Sequence, residues 1–226
     1  MVYTITYFKK MNEKNIFITG IGTGVGKTIV SAVLASYWKA DYWKPIQCGD
    51  LDNTDSERVK HLVNAESTHI HQERFRLQLA ASPHEAAAAE NIAIHPDDFQ
   101  PPFTANRLII EGAGGLLVPL SGDFFMIDLI KQLGATAVLV IRDYLGCINH
   151  SLLSYEVLRR KEVRIRALVF NGNMNKASQE AIESHVSEEI PIIHVPELSL
   201  INNEAIRYSS LHLSINSKIK KNESAK

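Results

Sequence analysis

This sequence of 226 residues has few cysteines and only scattered histidines, which argues against disulfide bonds and a zinc site. There are two cysteines, Cys48 and Cys147, and no Cys-x-x-Cys pair, which argues against a disulfide framework and a cysteine zinc site. The nine histidines are scattered without metal-ligand spacing, so we treat them as surface or packing residues. This cysteine usage suits a reducing compartment, and we expect a cytoplasmic protein.

Long apolar runs and an excess of one charge are also absent. No run approaches membrane length, and Met1 to Lys10 lack the apolar stretch of a signal peptide. The net charge of −1 gives no support for nucleic acid or an acidic membrane as the main partner. With 45% hydrophobic and 22% charged residues, the composition is that of an ordinary globular domain with a substantial core.

A glycine-rich segment, Thr19-Gly20-Ile21-Gly22-Thr23-Gly24-Val25-Gly26-Lys27-Thr28, is the strongest motif that is present. A short apolar strand precedes it and a helix is predicted after it. This arrangement binds the phosphates of a nucleoside triphosphate through backbone N–H groups and the helix start. We expect Lys27 to reach the β- and γ-phosphates and the Thr28 hydroxyl to bind Mg²⁺. The loop is a longer variant, with five residues between Gly20 and Gly26.

Apolar runs of strand length alternate with helix-period stretches along the rest of the chain. Several of the runs are continuously apolar, which is typical of parallel strands covered on both faces. We therefore predict a single α/β domain of the P-loop NTPase type, a mostly parallel sheet with helices on both faces, over residues 14–213. An extension (1–13) precedes the domain, and a polar tail (214–226) that is expected to be disordered follows it. The predicted strands are Ile16–Thr19, Asp41–Lys44, Arg107–Glu111, Ala137–Arg142, Arg166–Asn171 and Ile192–Val195, and the predicted helices are Gly26–Lys39, Asp55–Val63, His84–Asn91, Phe125–Leu133, Asn149–Lys161 and Lys176–Glu188.

Polar residues stand where predicted strands end, at the edge where such sheets bind ligands. Glu111 ends the third strand, where a P-loop protein places its Mg²⁺-organising carboxylate. Lys44 ends the second strand and is either an anion-neutralising group or a solvated surface lysine. Asp55 begins a helix and is either its cap, with Thr54, or a second metal carboxylate. Asn171 ends the fifth strand and either reads an adenine edge or is an ordinary turn residue.

A turn at Tyr144-Leu145-Gly146-Cys147-Ile148-Asn149-His150 follows the fourth strand. Gly146 opens the turn and Asn149 is a plausible N-cap of the next helix. The exposed N–H groups of this helix start can bind a carboxylate. We interpret His150 as a packing or capping residue.

Taken in order, these segments resemble the dethiobiotin synthetases. The resemblance spans roughly residues 15 to 200. The P-loop alone is shared by many families, but the other segments together are specific. The segments are Thr19 to Thr28, Lys44-Pro45, Asp55, Ser82-Pro83-His84, Glu111-Gly112-Ala113-Gly114-Gly115, Pro119-Leu120-Ser121 and Leu145 to His150.

The resemblance implies a ligase of biotin biosynthesis that uses ATP and Mg²⁺ to join CO₂ to 7,8-diaminononanoate. One amine becomes a carbamate, the γ-phosphate activates it as a carbamic–phosphoric anhydride, and the second amine closes the ring of dethiobiotin. ADP and phosphate leave. No side-chain nucleophile is needed, so the lack of a Ser-His-Asp set is expected.

The resemblance also implies a role for individual residues, and a homodimer in which the substrate carboxylate lies at the turn of the neighbouring subunit. Two departures from the family pattern stand out: Ile21-Gly22 replaces a frequent Thr-Asp, and Cys48 replaces a hydroxyl residue that contacts the diamine. The implied catalytic residues are Lys27 and Lys44, and the metal ligands are Thr28, Asp55 and Glu111. The implied ATP contacts are Gly24, Val25, Gly26, Lys27, Thr28, Ile29, Asp55, Glu111, Gly112, Ala113, Gly114, Asn171, Gly172, Val195, Pro196 and Glu197. The implied substrate contacts are Lys44, Cys48, Leu145, Gly146, Cys147, Ile148 and Asn149.

Three other functions are compatible with a P-loop, and each has a feature that distinguishes it. A partition-type ATPase has an extra lysine five residues before the Gly-Lys lysine, where this chain has Gly22. A cobyrinate-type amidotransferase needs a fused glutaminase domain, for which 226 residues leave no room. A small-molecule kinase would put phosphate, and no new carbon, into its product.

Overall fold

The computed structural model describes residues 14–216, so the predicted extension and residues 217–226 lie outside the described part of the chain. The strands are β1 (Asn15–Gly20), β2 (Asp41–Trp43), β3 (Ile46–Cys48), β4 (Ile70–His71), β5 (Phe75–Leu77), β6 (Leu108–Glu111), β7 (Pro119–Ser121), β8 (Phe124–Phe125), β9 (Thr136–Ile141), β10 (Ile165–Asn171), β11 (Ile192–Val195) and β12 (Ser214–Asn216). The helices are α1 (Lys27–Trp38), α2 (Asp55–Leu62), α3 (Pro83–Ala89), α4 (Met126–Gln132), α5 (Cys147–Arg160), α6 (Lys176–His185) and α7 (Asn203–Leu211).

The central sheet has eight strands in the order β12-β11-β10-β9-β1-β6-β2-β4. Its strands run parallel except β12, which pairs antiparallel with β11. β1 lies in the middle, with Ile18 beside Glu111 of β6 and Gly20 beside Val140 of β9. Every residue of β1 and β9 is buried, which explains why these runs are apolar without alternation.

Helices cover both faces of this sheet because the chain winds in two directions from β1. It first crosses to β2 through α1, and later returns from β6 to β9, β10 and β11 on the other side of β1. Right-handed crossovers in opposite directions place their helices on opposite faces. In agreement with this, α1 packs against α2 and α7, whereas α5 packs against α6. The predicted fold class is confirmed.

Each predicted strand and helix has a counterpart in the structure, and their bounds differ by a few residues. Helix α7 and the two small sheets, β3 with β5 and β7 with β8, were not predicted. Three residues of the tail expected to be disordered, Ser214–Asn216, form β12, because the outer edge of β11 offers them backbone partners. Among the described helices, none combines the length and apolarity needed to cross a bilayer.

Candidate active site

The glycine-rich loop leaves the end of β1 and enters α1 at Gly26, which has a φ of +86°. A Cβ at Gly26 would lie 2.1 Å from the Asn171 side-chain nitrogen, so this residue must be glycine for two reasons. Among residues 14–216, no side chain caps the start of α1, and its first turn carries no acidic residue. The loop therefore presents free backbone N–H groups and a positive helix end, which suit a phosphate.

Lys27 begins α1 and is buried at the floor of this loop. Its Nζ donates to the Gly22 carbonyl at 2.9 Å. The pKa of Lys27 is lowered to about 8, chiefly by burial; the Glu111 carboxylate opposes this shift, and the nearby Lys44 ammonium adds to it. A phosphate dianion beside Lys27 would favour its protonated form.

Thr28, Asp55 and Glu111 meet at the carboxyl end of the central strands, as the sequence predicted. The Thr28 hydroxyl oxygen lies 3.0 Å from Asp55 Oδ1 and 2.9 Å from Glu111 Oε1. Glu111 is 1% exposed and ends β6, next to the glycine-rich loop. One hydroxyl and two carboxylates thus face each other across a few ångströms.

The contacts at the start of α2 show whether Thr54 or Asp55 caps this helix. Thr54 is the N-cap and forms a capping box with Glu57: the Glu57 N–H donates to the Thr54 hydroxyl at 3.2 Å, and the Thr54 N–H donates to the Glu57 carboxylate at 3.0 Å. The Asp55 N–H donates to Gln47 Oε1 at 3.3 Å. Capping is therefore the role of Thr54, and the Asp55 carboxylate turns toward Thr28 and Lys44.

Lys44 is not a solvated surface residue. Its side chain is 5% exposed, and its Nζ contacts Asp55 Oδ2 and lies 3.3 Å from Glu111 Oε1. Burial alone would lower the pKa of Lys44, but Glu111 and Asp55 outweigh it and hold that pKa above its ordinary value. Burial alone would likewise raise the pKa of Asp55, and Lys44 holds it below its ordinary value instead. Lys44 is therefore a buried cation with two carboxylate partners.

The donor set at this point fits a Mg²⁺ ion. Mg²⁺ is bound in proteins by one or two carboxylates together with phosphate oxygens and water. Thr28, Asp55 and Glu111 supply two carboxylates and a hydroxyl next to the phosphate loop. Within residues 14–216 no group of three or more His, Cys, Asp and Glu side chains could hold a metal by itself, so a metal here would need phosphate or water ligands as well.

A cleft of about 1040 Å³ begins at this cluster and extends from the phosphate loop to the start of α3. Cys48 lies in its wall, and burial raises the pKa of this thiol to about 11. Ser82 and Pro83, two of the residues that carried the resemblance, line the same cleft. Ile201, which precedes α7, closes part of the rim and is 60% exposed.

The residues expected at the adenine gather beside the phosphate loop. Asn171 is buried and its Nδ2 donates to the Val25 carbonyl at 2.9 Å. The Gly172 N–H donates to the Val195 carbonyl at 2.8 Å. The Glu197 carboxylate receives two contacts from Arg142 Nη2, at 2.8 and 3.0 Å. One amide hydrogen of Asn171 is thus used by the loop, and its carbonyl oxygen remains available as an acceptor.

The turn at 145–149 does not line the cleft of its own chain. Gly146 is the N-cap of α5, and no side chain among the described residues caps this helix end. Leu145 is fully exposed, whereas Cys147 is buried with its thiol 3.5 Å from Asp143 Oδ1. Asn149, proposed as the cap, lies in the first turn of α5 instead, because the helix begins two residues earlier. His150 accepts or donates a 2.7 Å hydrogen bond with Tyr144.

Two residues at the site were missed by sequence reasoning. Gln47 is buried and links Asp55 to the loop at Gly49 through its side-chain amide. Tyr42 is fully buried and its hydroxyl contacts Glu111 Oε2 at 2.9 Å. The one available signal was that Tyr42 stands two residues before Lys44, on the same face of the strand.

Comparison with known proteins agrees with this geometry. A family model described as an AAA domain matches residues 14–205. The chain is 46% identical over 170 residues to the ATP-dependent dethiobiotin synthetase BioD of Paramagnetospirillum magneticum, covering 75% of this chain and 82% of that protein. It is 43% identical over 194 residues to the BioD of Cytophaga hutchinsonii, covering 85% and 93%.

Solved structures with a similar fold include a ParA family ATPase from Chlorobium tepidum, with a TM-score of 0.48 and 12% identity over 89% of this chain and 100% of that one. The septum site-determining protein MinD from Pyrococcus horikoshii has a TM-score of 0.48 and 15% identity over 87% and 86%. The sequence identity to the curated relatives is far higher and extends over most of their length. By that measure, the chain belongs to the ATP-dependent dethiobiotin synthetase family.

Proposed function

We propose that this protein uses ATP and Mg²⁺ to join CO₂ to 7,8-diaminononanoate, forming dethiobiotin, ADP and phosphate. The observation that carries the proposal is the meeting of Lys27, Lys44, Thr28, Asp55 and Glu111 at one end of a cleft large enough for both substrates. Family membership at more than 40% identity supports the same reaction.

The reaction brings negative charges together, and the two lysines offset the resulting repulsion. Two unit charges about 4 Å apart repel by about 4 kcal/mol at an effective dielectric of about 20. A carbamate oxygen that approaches the γ-phosphate therefore needs positive charge beside it. Lys27 lies at the phosphate loop, and both lysines line the cleft. Each stabilises charge as it develops along the attack.

The order of bond changes follows from the chemistry of the substrates. One amine of the diamine adds to CO₂ and loses a proton, which gives a carbamate. A carbamate oxygen attacks the γ-phosphorus and ADP leaves, which gives a carbamic–phosphoric anhydride. The second amine attacks the carbamate carbon and loses a proton, phosphate leaves, and the ureido ring closes. Mg²⁺ held by Thr28, Asp55 and Glu111 would supply charge neutralisation at the phosphates.

Positioning supplies most of the rate in such a transfer. The backbone N–H groups of the loop at 22–27 orient the phosphates, and Asn171 with Gly172, Val195, Pro196 and Glu197 borders the adenine. Ile29 and residues 112–114 complete the nucleotide site. Cys48, which lines the cleft, is the proposed contact of the diamine, but its protonated thiol is a weaker donor than a hydroxyl.

The aliphatic carboxylate of the substrate needs a second binding point, and the turn at 145–149 offers one from a neighbouring subunit. Leu145 is fully exposed, and Tyr144, Ile148 and Leu153 are also exposed apolar residues near it. A free helix start beside an apolar patch suits a carboxylate at the end of an alkyl chain. We therefore propose a homodimer whose two sites each use residues 145–149 of the partner.

Mass spectrometry of the products tests the reaction. The purified protein is incubated with ATP, ¹³C-bicarbonate and diaminononanoate. We expect dethiobiotin that carries one heavy carbon, with one ADP and one phosphate for each molecule formed. ATP hydrolysis should require both bicarbonate and the diamine.

Two outcomes would contradict the proposal. A phosphorylated product without a heavy carbon would identify a kinase. Equal ATP turnover without bicarbonate or diamine would identify an ATPase that acts on neither substrate. Lys44→Gln is the informative variant, because it should lose product formation, whereas Lys176→Gln, at an 89% exposed side chain, should keep it.

A further inference from the structure

Tyr42 is a buried hydroxyl that the proposed chemistry does not use. It lies on β2, is 0% exposed, and its hydroxyl is 2.9 Å from Glu111 Oε2. β2 and β6 are parallel neighbours, and Tyr42 pairs in register with Ile109, two residues before Glu111. The side chain therefore leans along the strand direction to reach the carboxylate. A buried tyrosine hydroxyl needs a hydrogen-bond partner, and Glu111 is the partner here.

The two oxygens of Glu111 have different partners. Oε2 accepts from Tyr42, whereas Oε1 faces Thr28 at 2.9 Å and Lys44 at 3.3 Å. Rotation of a glutamate carboxylate about its last bond is soft, so one fixed oxygen determines where the other points. Tyr42 thus directs Oε1 toward Thr28 and Lys44 and keeps Oε2 away from them.

The different partners of the two Glu111 oxygens affect how this carboxylate can bind a small cation. Mg²⁺ demands near-ideal octahedral geometry and keeps several water or phosphate ligands. A carboxylate whose second oxygen is hydrogen-bonded elsewhere binds through one oxygen and leaves the remaining positions free. Loss of a partner of this kind, which holds a metal ligand in place, typically costs about 10- to 100-fold in metal affinity or activity.

We propose that Tyr42 is a positioning residue for the divalent metal site: its hydroxyl holds Glu111 so that Oε1 alone faces the metal. The inference rests on the part of the proposed function that assigns Glu111 to the metal. It does not depend on which substrate is carboxylated.

The test is metal binding by Tyr42→Phe, which removes one hydroxyl and keeps the ring. Mn²⁺ is titrated into the protein with a non-hydrolysable ATP analogue, and free Mn²⁺ is measured by electron paramagnetic resonance. We expect an affinity about 10- to 100-fold weaker than that of the unchanged protein. The Mg²⁺ concentration for half-maximal activity should rise by a similar factor, while KM for the diamine stays within about 2-fold.

Tyr155→Phe is the matched control. Tyr155 is 4% exposed on α5, and its hydroxyl accepts from the Ser187 N–H at 3.1 Å, so the variant also loses one hydrogen bond of a tyrosine hydroxyl, in this case a partly buried one. It should lose comparable thermal stability and keep its Mn²⁺ affinity. If Tyr42→Phe loses stability as Tyr155→Phe does but binds Mn²⁺ equally well, Tyr42 has only a structural role.

A double-mutant cycle with Glu111→Gln separates positioning from a general loss of structure. In the Glu111→Gln background, Tyr42→Phe should weaken Mn²⁺ binding by less than about 2-fold, because the oxygen that it directs has lost its charge. Full additivity of the two effects would overturn the proposal. Failure of the proposed function would appear separately, as the absence of dethiobiotin from a protein whose Mn²⁺ affinity still depends on Tyr42.

Discussion

Lys44 and Asp55 form an ion pair in which the lysine side chain is 5% exposed and the aspartate side chain 20% exposed. Glu111, 1% exposed, shares the same ammonium group. Removal of the lysine leaves Glu111 without an ion pair among the described residues, and leaves Asp55 with only the longer 3.9 Å contact to Arg58. We expect Lys44→Met to lower the free energy of unfolding by about 3–5 kcal/mol. Urea unfolding in buffer with EDTA measures this loss without any metal in place of the lysine.

Lys176→Met is the control for the ion pair. Lys176 lies 3.8 Å from Glu180 on α6, and the two side chains are 89% and 65% exposed. Exposed pairs contribute about 0–1 kcal/mol, so this variant should unfold almost as the unchanged protein does. Equal losses in the two variants would mean that burial of the Lys44 pair contributes nothing.

Gly26 and Asn171 are predicted to be coupled. In Gly26→Ala, the new Cβ lies 2.1 Å from Asn171 Nδ2 and the backbone keeps a φ of +86°. We expect a loss of more than about 2 kcal/mol, of which about 1–2 kcal/mol is backbone strain. Adding Asn171→Ala should recover the steric part in urea unfolding.

Gly122→Ala measures the cost of backbone strain without a steric clash. Gly122 has a φ of +45°, and a Cβ there meets nothing within 4 Å. Its cost should be about 1–2 kcal/mol, the backbone strain alone. If the double variant Gly26→Ala/Asn171→Ala is no more stable than Gly26→Ala alone, the contact with Asn171 is not the cause.

Asp41 is expected to make the protein sensitive to acid. Burial alone would raise the pKa of Asp41, but hydrogen bonds from the Thr104 hydroxyl, the His69 N–H and the Asn106 side chain hold it below 3.8. The folded state therefore favours the carboxylate, and its stabilising effect is complete above pH 3.8 and disappears as the pH falls through the folded pKa. Asp41→Asn should cost about 1–3 kcal/mol at pH 7.

The measurement is urea unfolding at pH 7 and again near pH 3. The difference between the unchanged protein and Asp41→Asn should shrink at the lower pH. Asp97→Asn, at an exposed position, should cost less than about 0.5 kcal/mol at pH 7. If the loss of stability caused by Asp41→Asn is the same at both pH values, the Asp41 carboxylate is not the source of the acid sensitivity.

The proposed dimer predicts a strong effect of charge at Leu145. Leu145 is fully exposed in one chain, so Leu145→Asp should not harm the fold. It should shift the protein from dimer to monomer in sedimentation equilibrium and lower kcat/KM for the diamine at least about 10-fold. Leu211→Asp, at another exposed leucine on α7, should leave both unchanged. A Leu145→Asp dimer with normal activity would exclude this turn from the interface.

The fold was predictable where the chain's local pattern determines the structure. The order of strand, glycine-rich loop and helix around Gly26 is such a case, because the glycines and the apolar runs are adjacent in sequence. β12 was not, since Ser214–Asn216 become a strand only beside the edge of β11. Helix α7 was missed although Asn202 caps it, with its Oδ1 accepting from the Ala205 N–H at 2.9 Å.

Several residues of the candidate site were predicted from the sequence, but the contacts between them were not. The sequence placed Lys44 and Asp55 at an edge of the sheet, yet each had an alternative role until their contact was seen. Tyr42 was missed, because its spacing from Lys44 places it on the same face of the strand but its contact with Glu111 depends on the register between β2 and β6. Contacts between residues distant in sequence, such as that between Asn171 and Val25, follow from the three-dimensional arrangement alone.

Burial shifts the pKa values of two cleft residues, Lys27 and Cys48, in opposite directions, which has a consequence for inhibitor chemistry. The pKa of Lys27 is lowered to about 8 and that of Cys48 is raised to about 11, so near pH 8 the neutral amine of Lys27 is far more abundant than the thiolate of Cys48. Cysteine-directed electrophiles such as acrylamides should thus label this pocket slowly. Amine-directed groups such as aldehydes or sulfonyl fluorides would find a better nucleophile at the phosphate loop.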